Sequence, residues 1–192
     1  MKPVVFHDRN LQRVFKSDTE ISKVTLTKLK TYFNLIPTLS EVIQKYGKKI
    51  HLMVEIKKEA YPDPEYQNNV LKDLFHELTP QVDFHFIALK PEMFMFINFV
   101  PSSTFLPSAR LNVKQLSDLA LLKSYGGIAG HYLLINDRLL KKHHAQNQCI
   151  GTGYICSKNS LFRELNRGVG WIFSNHAIKL QNICNSLLKF KR

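Results

Sequence analysis

No stretch of the 192 residues keeps up the ~18 consecutive apolar positions that a membrane-spanning helix needs, so no helical span is expected. Cysteine is scarce. Cys149, Cys156 and Cys184 are odd in number, widely spaced and free of any CxxC pair, which argues against a disulfide scaffold or a zinc ribbon and predicts reduced, mostly buried thiols. No GxGxxG and no Walker loop occurs, so nucleotide-binding folds lose weight. No repeat of fixed period and no composition break marks a linker. Acidic residues are also short, 15 against 27 Lys+Arg, for a net charge of +12. Such a surface favours anionic partners: phosphates, anionic lipid headgroups or nucleic acid. A recognised nucleic-acid motif or aromatic–basic platform is missing, so nucleic acid is not the expected partner. The opening Met1-Lys2-Pro3-Val4-Val5-Phe6-His7-Asp8 is no signal peptide, because a histidine and an aspartate cut its apolar run short, and a cytoplasmic location is expected.

What the chain does have is a core-forming composition, 44% hydrophobic and 11% aromatic, spread over a length that suits one domain of residues 1–192. Short apolar runs alternate with amphipathic stretches. Val4–Phe6 reads as a strand delivering His7 and Asp8. Leu39–Tyr46 reads as a helix with Thr38 as cap, Glu41 completing a capping box and Gly47 as stop. His51–Ile56 is a strand that brings Glu55 and Lys57 to its C-terminal end. Asp63-Pro64 opens a helix whose stripe is Val70, Leu71, Leu74, Phe75 and Leu78. Downstream, strands are expected at Phe84–Leu89, Thr104–Leu106, within Gly127–Ile135, at Cys149–Ile155 and at Val169–Phe173. Helices are expected at Pro91–Val100, Val113–Ser124, from Asn136 through His144, at Ser157–Arg167 and at His176–Leu188, the last with Ile178, Ile183 and Leu187 inward. Strand–helix alternation of about six units means a parallel sheet with covering helices, either doubly wound or a (β/α)₈ barrel.

His7 and Glu55 both fall at C-terminal strand ends, where barrel enzymes place catalytic groups. Glu55 and Lys57, two apart on a strand, share a face. Histidine moves protons near neutral pH, a carboxylate binds a hard cation and lysine offsets phosphate charge, so this trio suits phosphate-ester chemistry. The order HD-x-x-L-x-R (His7 to Arg13), I-P-T-L-x-E-V (Ile36 to Val42) and a strand ending E-I-K (Glu55 to Lys57) resembles the glycerophosphodiester phosphodiesterase family. Cys149–Lys179 also looks like that family's last two units. The resemblance implies a TIM (β/α)₈-type barrel that hydrolyses glycerophosphodiesters to glycerol 3-phosphate and an alcohol with a divalent cation, Ca²⁺ or Mg²⁺. It makes His7 the second of two catalytic histidines, Glu55 a metal ligand, Lys57 a phosphate contact and Asp8 a support for His7 or its loop. Tyr154 would stand in for the family's aromatic wall, and Arg13 would be structural.

The family's preceding strands, with His-Arg-Gly and a Glu-x-Asp pair, have no counterpart before His7. The expectation is therefore a barrel lacking its first two strands, with one histidine and two metal carboxylates missing and cation binding weakened. Ala88-Leu89-Lys90 lacks the family's serine, and Ser174-Asn175-His176 replaces Thr-Asp. Two readings stay open: a metal-dependent phosphodiesterase, or a catalytically inactive relic or phosphodiester-binding module. Blander roles are open for single residues too. Glu55 could pair with Lys57 or Lys58, and His143-His144 could serve the helix dipole. His176 could simply start the last helix. Phe94, Met95, Phe96 and Phe99 could be helix core, and Lys189-Phe190-Lys191-Arg192 a soluble tail.

Overall fold

The computed structural model describes residues 2–189, with side chains through residue 186. The chain forms two compact units, one of residues 1–52 and 61–83, the other of residues 53–60 and 84–192.

The first unit is helical. It holds α1 (Gln12–Phe15), a 3₁₀ turn at Ile21–Lys23, α2 (Leu26–Tyr32), α3 (Leu39–Tyr46) and α4 (Pro64–Phe75). Leu11, Leu29 and Ile36 form its small core, with Phe6, Phe15 and Phe33 packed against them. The caps read from sequence are present. The Glu41 N–H donates to Thr38 Oγ1 at 3.1 Å while Glu41 Oε2 accepts from the Thr38 N–H at 2.7 Å, and the Tyr66 N–H donates to Asp63 Oδ1 at 2.9 Å ahead of Pro64. These contacts satisfy N–H groups that a helix start leaves without an intrahelical acceptor. One expected element is missing: Val4–Phe6 is not a strand. Val4 makes a lone antiparallel bridge to Thr38, and the Val5 N–H donates to Pro37 O at 2.8 Å. The partner is the short loop leading into α3, too brief to carry a ladder, so His7 leaves from a bend and not from a strand end.

β1 (Leu52–Glu55) leads into the second unit, which continues with β2 (Phe84–Ala88), a 3₁₀ segment (Pro91–Phe96), β3 (Phe105–Pro107), α5 (Val113–Leu122), β4 (Gly127–His131), α6 (Asp137–His144), β5 (Cys149–Gly153), α7 (Lys158–Asn166), β6 (Trp171–Phe173) and α8 (Ala177–Lys189). The strands form two three-stranded sheets, β1-β2-β3 and β4-β5-β6. Pairing is parallel, with Phe86 opposite Phe105, Ile128 opposite Ile150 and Thr152 opposite Ile172. A parallel bridge between Ser108 and Ala129, and the Ala109 N–H donating to Ala129 O at 2.7 Å, join β3 to β4. All the paired strands therefore run the same way, and their C-terminal ends share one side. Ile128 and Ile150 are fully buried among Val113, Leu116, Ile135, Leu140 and Val169, as expected for strands covered by crossover helices. Gly127, at φ +146°, starts β4 where a Cβ would come 1.7 Å from Cys149 O. Only glycine permits that approach.

Several expectations need correction. Pro91–Val100 is a 3₁₀ segment that ends at Phe96, and Met95 is 75% exposed while Met93 and Phe94 are buried. With three residues per turn, Met95 falls in the same row as the exposed Glu92, and that row faces outward. On α8 the inward row is Leu180 with Ile183 and Cys184 against Ile155 and Leu161, whereas Ile178 is exposed. The side chain of Leu187 and the tail Phe190-Lys191-Arg192 lie outside the described residues. The three cysteines are free, as expected, but Cys149, which opens β5, and Cys156, in the loop ahead of α7, are exposed, and Cys184 on α8 is half-buried. His143 is not a surface helix-end cation. It has no exposed surface.

Candidate functional site

In the first unit the HD motif is a relay of contacts. His7 Nδ1 lies 2.6 Å from Asp8 Oδ1, and Arg13 Nε donates to Asp8 Oδ2 at 2.6 Å. Arg13 can reach because α1 begins directly after the buried Leu11 and turns its first residues back over the bend. The guanidinium of Arg13, and then the His7 ring, hold the Asp8 carboxyl below the usual carboxylate range. An ionised Asp8 orients the imidazole by accepting from Nδ1–H and leaves Nε2 to solvent on a side chain that is 76% exposed. Asp8 therefore contacts the His7 ring on one side, and Arg13 is the residue that anchors Asp8 on the other.

In the second unit Glu55 ends β1. The Lys57 ammonium reaches Glu55 Oε2 at 2.6 Å, with both side chains about one-third exposed (34% and 29%). The ion pair foreseen as the blander role is present. At the ends of β4 and β5 the sequence reading named only Tyr154. Its backbone is left-handed, φ +68°, which costs a residue with a side chain roughly 1–2 kcal/mol. This geometry sets its ring 4.8 Å from that of His131, with 30° between the planes. His131 in turn stacks on Tyr132 at 4.8 Å and 23°, and the Arg163 guanidinium covers Tyr132 at 4.8 Å. His131 was missed, although a histidine closing the Gly127–His131 strand was the signal to follow. His176 begins the last helix, its N–H donating to Ser174 Oγ at 2.9 Å.

The structure thus brings together His7 with Asp8 and Arg13, Glu55 with Lys57, and Tyr154 with His131. An open cavity of about 880 Å³ lies along the start of α8, lined by Asn175, His176, Ile178, Lys179 and Asn182. None of the expected site residues borders it. A divalent cation of the calcium or magnesium type takes six or more oxygens. Among the described residues no group of three or more His, Cys, Asp or Glu side chains could hold a metal, and Glu55 already faces an ammonium group. The described donor set does not fit a resident cation.

The parallel β/α alternation, with polar groups at the strand ends, defines the TIM-type (β/α) barrel class, here with six strands among the described residues. Solved structures of this fold align over almost the whole chain. An Oleispira antarctica phosphodiesterase, in complex with the product sn-glycerol-3-phosphate, is 19% identical at a TM-score of 0.71, covering 96% of this chain and 80% of its own. A Parabacteroides distasonis glycerophosphodiester phosphodiesterase is 17% identical at 0.70, covering 96% and 79%. A Thermotoga maritima glycerophosphodiester phosphodiesterase is 16% identical at 0.69, covering 90% and 75%. A search of curated protein sequences gives no significant match. The family model of the glycerophosphoryl diester phosphodiesterase family matches residues 1–176, and the chain belongs to that family.

Proposed function

We propose that the chain acts on glycerophosphodiesters, taking part in their hydrolysis to glycerol 3-phosphate and an alcohol. The observation that carries this reading is the Asp8-held His7, whose Nε2 is left free to take or give a proton while Arg13 keeps Asp8 ionised. Lys57 would exchange part of its contact with Glu55 for a phosphate oxygen, a charge-assisted bond. Tyr154 would supply an apolar wall for the ester. Family membership and the product-bound relative from Oleispira antarctica support the substrate class.

The family resemblance implies Ca²⁺ or Mg²⁺ with Glu55 as one ligand, but Glu55, already paired with Lys57, does not make a cation site by itself among the described residues. A specific observation favours a second reading, a phosphodiester-binding module: the described residues offer no three-donor cation set. One pair of measurements separates the two. Release of glycerol 3-phosphate from glycerophosphocholine with Ca²⁺ or Mg²⁺, lost in His7→Ala, supports hydrolysis. Release unchanged in that variant removes His7 from the reaction. Calorimetric binding of glycerol 3-phosphate that persists in excess EDTA, without release, establishes the binding module. Neither release nor binding ends both readings.

A further inference from the structure

The stack at the ends of β4 and β5 has more order than a wall requires. Three rings, Tyr154, His131 and Tyr132, follow one another at 4.8 Å spacings, and the Arg163 guanidinium closes the far end at 4.8 Å. Arg163 is itself tied to the fully buried Glu164 at 2.7 Å, so the stack is anchored in the interior. Tyr154, at the open end and 70% exposed, accepts a left-handed backbone to reach His131. Strain kept at a strand end, on the side where this fold class places its chemistry, points to a function for the group it positions.

That group is His131. Its Nδ1 accepts the Leu133 N–H at 3.2 Å, so in the neutral ring the proton resides on Nε2. Among the described residues Nε2 has no hydrogen-bond partner. The result is a ring clamped on both faces, with its tautomer set by the backbone and one donor unused. We propose that His131 is a ligand-binding residue whose Nε2–H donates to an oxygen of the phosphate ester held at the strand ends. This rests on the phosphodiester reading above and adds a binding residue to it. The stack limits the ring's rotation, so the donor is directed before the ligand arrives and little side-chain freedom is lost on binding.

The experiment uses the full chain, ¹⁵N-labelled, titrated with glycerol 3-phosphate, alongside His131→Phe and His131→Gln. Phe keeps a ring in the stack without the donor, and Gln restores a donor at similar reach without the ring. In the wild type, the neutral ring is expected to carry its proton on Nε2, and that resonance should shift with the same midpoint as overall binding. His131→Phe should weaken binding about tenfold, the scale of one hydrogen bond to a charged acceptor, and His131→Gln should recover part of the loss. A proton on Nδ1, a ring resonance that stays still at saturation, or His131→Phe binding like the wild type overturns this inference and leaves the phosphodiester reading standing. Absence of any binding by the wild type overturns both.

Discussion

His143 and Glu164 carry polar chemistry into the interior of the second unit, and neither has exposed surface. His143 Nδ1 meets Gln148 Oε1 at 2.6 Å, its Nε2 meets Ser117 Oγ at 2.8 Å, and Gln148 Nε2 donates to Ala120 O at 2.9 Å. Burial is the main cause that lowers its pKa from 6.5, and the neighbouring charges of Lys142 and His144 act the same way, while Asp118 and the Gln148 bond oppose them. The unfolded chain therefore takes up a proton at a higher pH than the folded one. Stability should be full above about pH 6.5 and fall as the pH drops toward the lowered folded value. Denaturant titrations from pH 8 to pH 5 check this, and His143→Gln should flatten the acid-side slope. Glu164 is held by Arg167 at 2.9 Å and by Arg163 at 2.7 Å, and Arg167 also reaches Asp137 at 2.7 Å. Arg167→Ala leaves a buried carboxylate short of a partner and should cost roughly 3 kcal/mol or more by chemical denaturation. Neither role was legible in the sequence. A Lys-Lys-His-His run at a helix end reads as a surface feature until the helix's rotation about its axis is known.

At the scale of elements, the strongest sequence signals were those whose physics is local. Thr38, Glu41 and Gly47 bound α3 because a helix start needs acceptors within three residues, whatever the rest of the chain does. Thr38→Ala should lower the stability of the first unit by about 1 kcal/mol, read by thermal unfolding. Glu41 is also bonded by the Lys30 ammonium, first among the causes that bring its pKa down to about 2 from 4.5. Its contribution is present above pH 4.5 and lost as the pH falls toward 2, and Glu41→Gln should remove that dependence from the acid unfolding curve. The misread elements, Val4–Phe6, Pro91–Val100 and the inner face of α8, share a different cause. Each is apolar enough for its expected form, yet its form depends on which neighbour supplies the hydrogen bonds or the contact face. A strand needs a ladder partner, and Val4 finds only the bridge to Thr38.

On the whole-molecule scale, charge is unevenly shared. The first unit has 11 Lys+Arg against 9 Asp+Glu, the second 16 against 6. The excess that predicted anionic partners therefore belongs almost entirely to the unit carrying Lys57, His131 and Tyr154. Binding of glycerol 3-phosphate should weaken as salt rises from about 50 mM to 500 mM, because the screening length falls to several ångströms. An affinity indifferent to salt would mean that the surface field contributes nothing. The two cores differ as well. Leu11, Leu29 and Ile36 make a small cluster, while Ile128 and Ile150 sit inside a layered sheet-and-helix core. Hydrogen exchange should be slowest in β4 and β5 and faster throughout α1 and α2.

The residues alone were enough for the parallel β/α alternation, most element limits, the family motifs at His7–Arg13, Ile36–Val42 and Glu55–Lys57, and the basic surplus. Each of these depends on period, capping or composition, which act over a few positions or on the sum of all of them. Tertiary structure alone decided that Arg13 anchors Asp8, that Lys57 occupies Glu55, that His143 is interior and that His131 lies between two tyrosines. Those contacts join side chains whose meeting depends on how the chain turns between them, and burial and hydrogen-bond partners are properties of that arrangement and not of residue type.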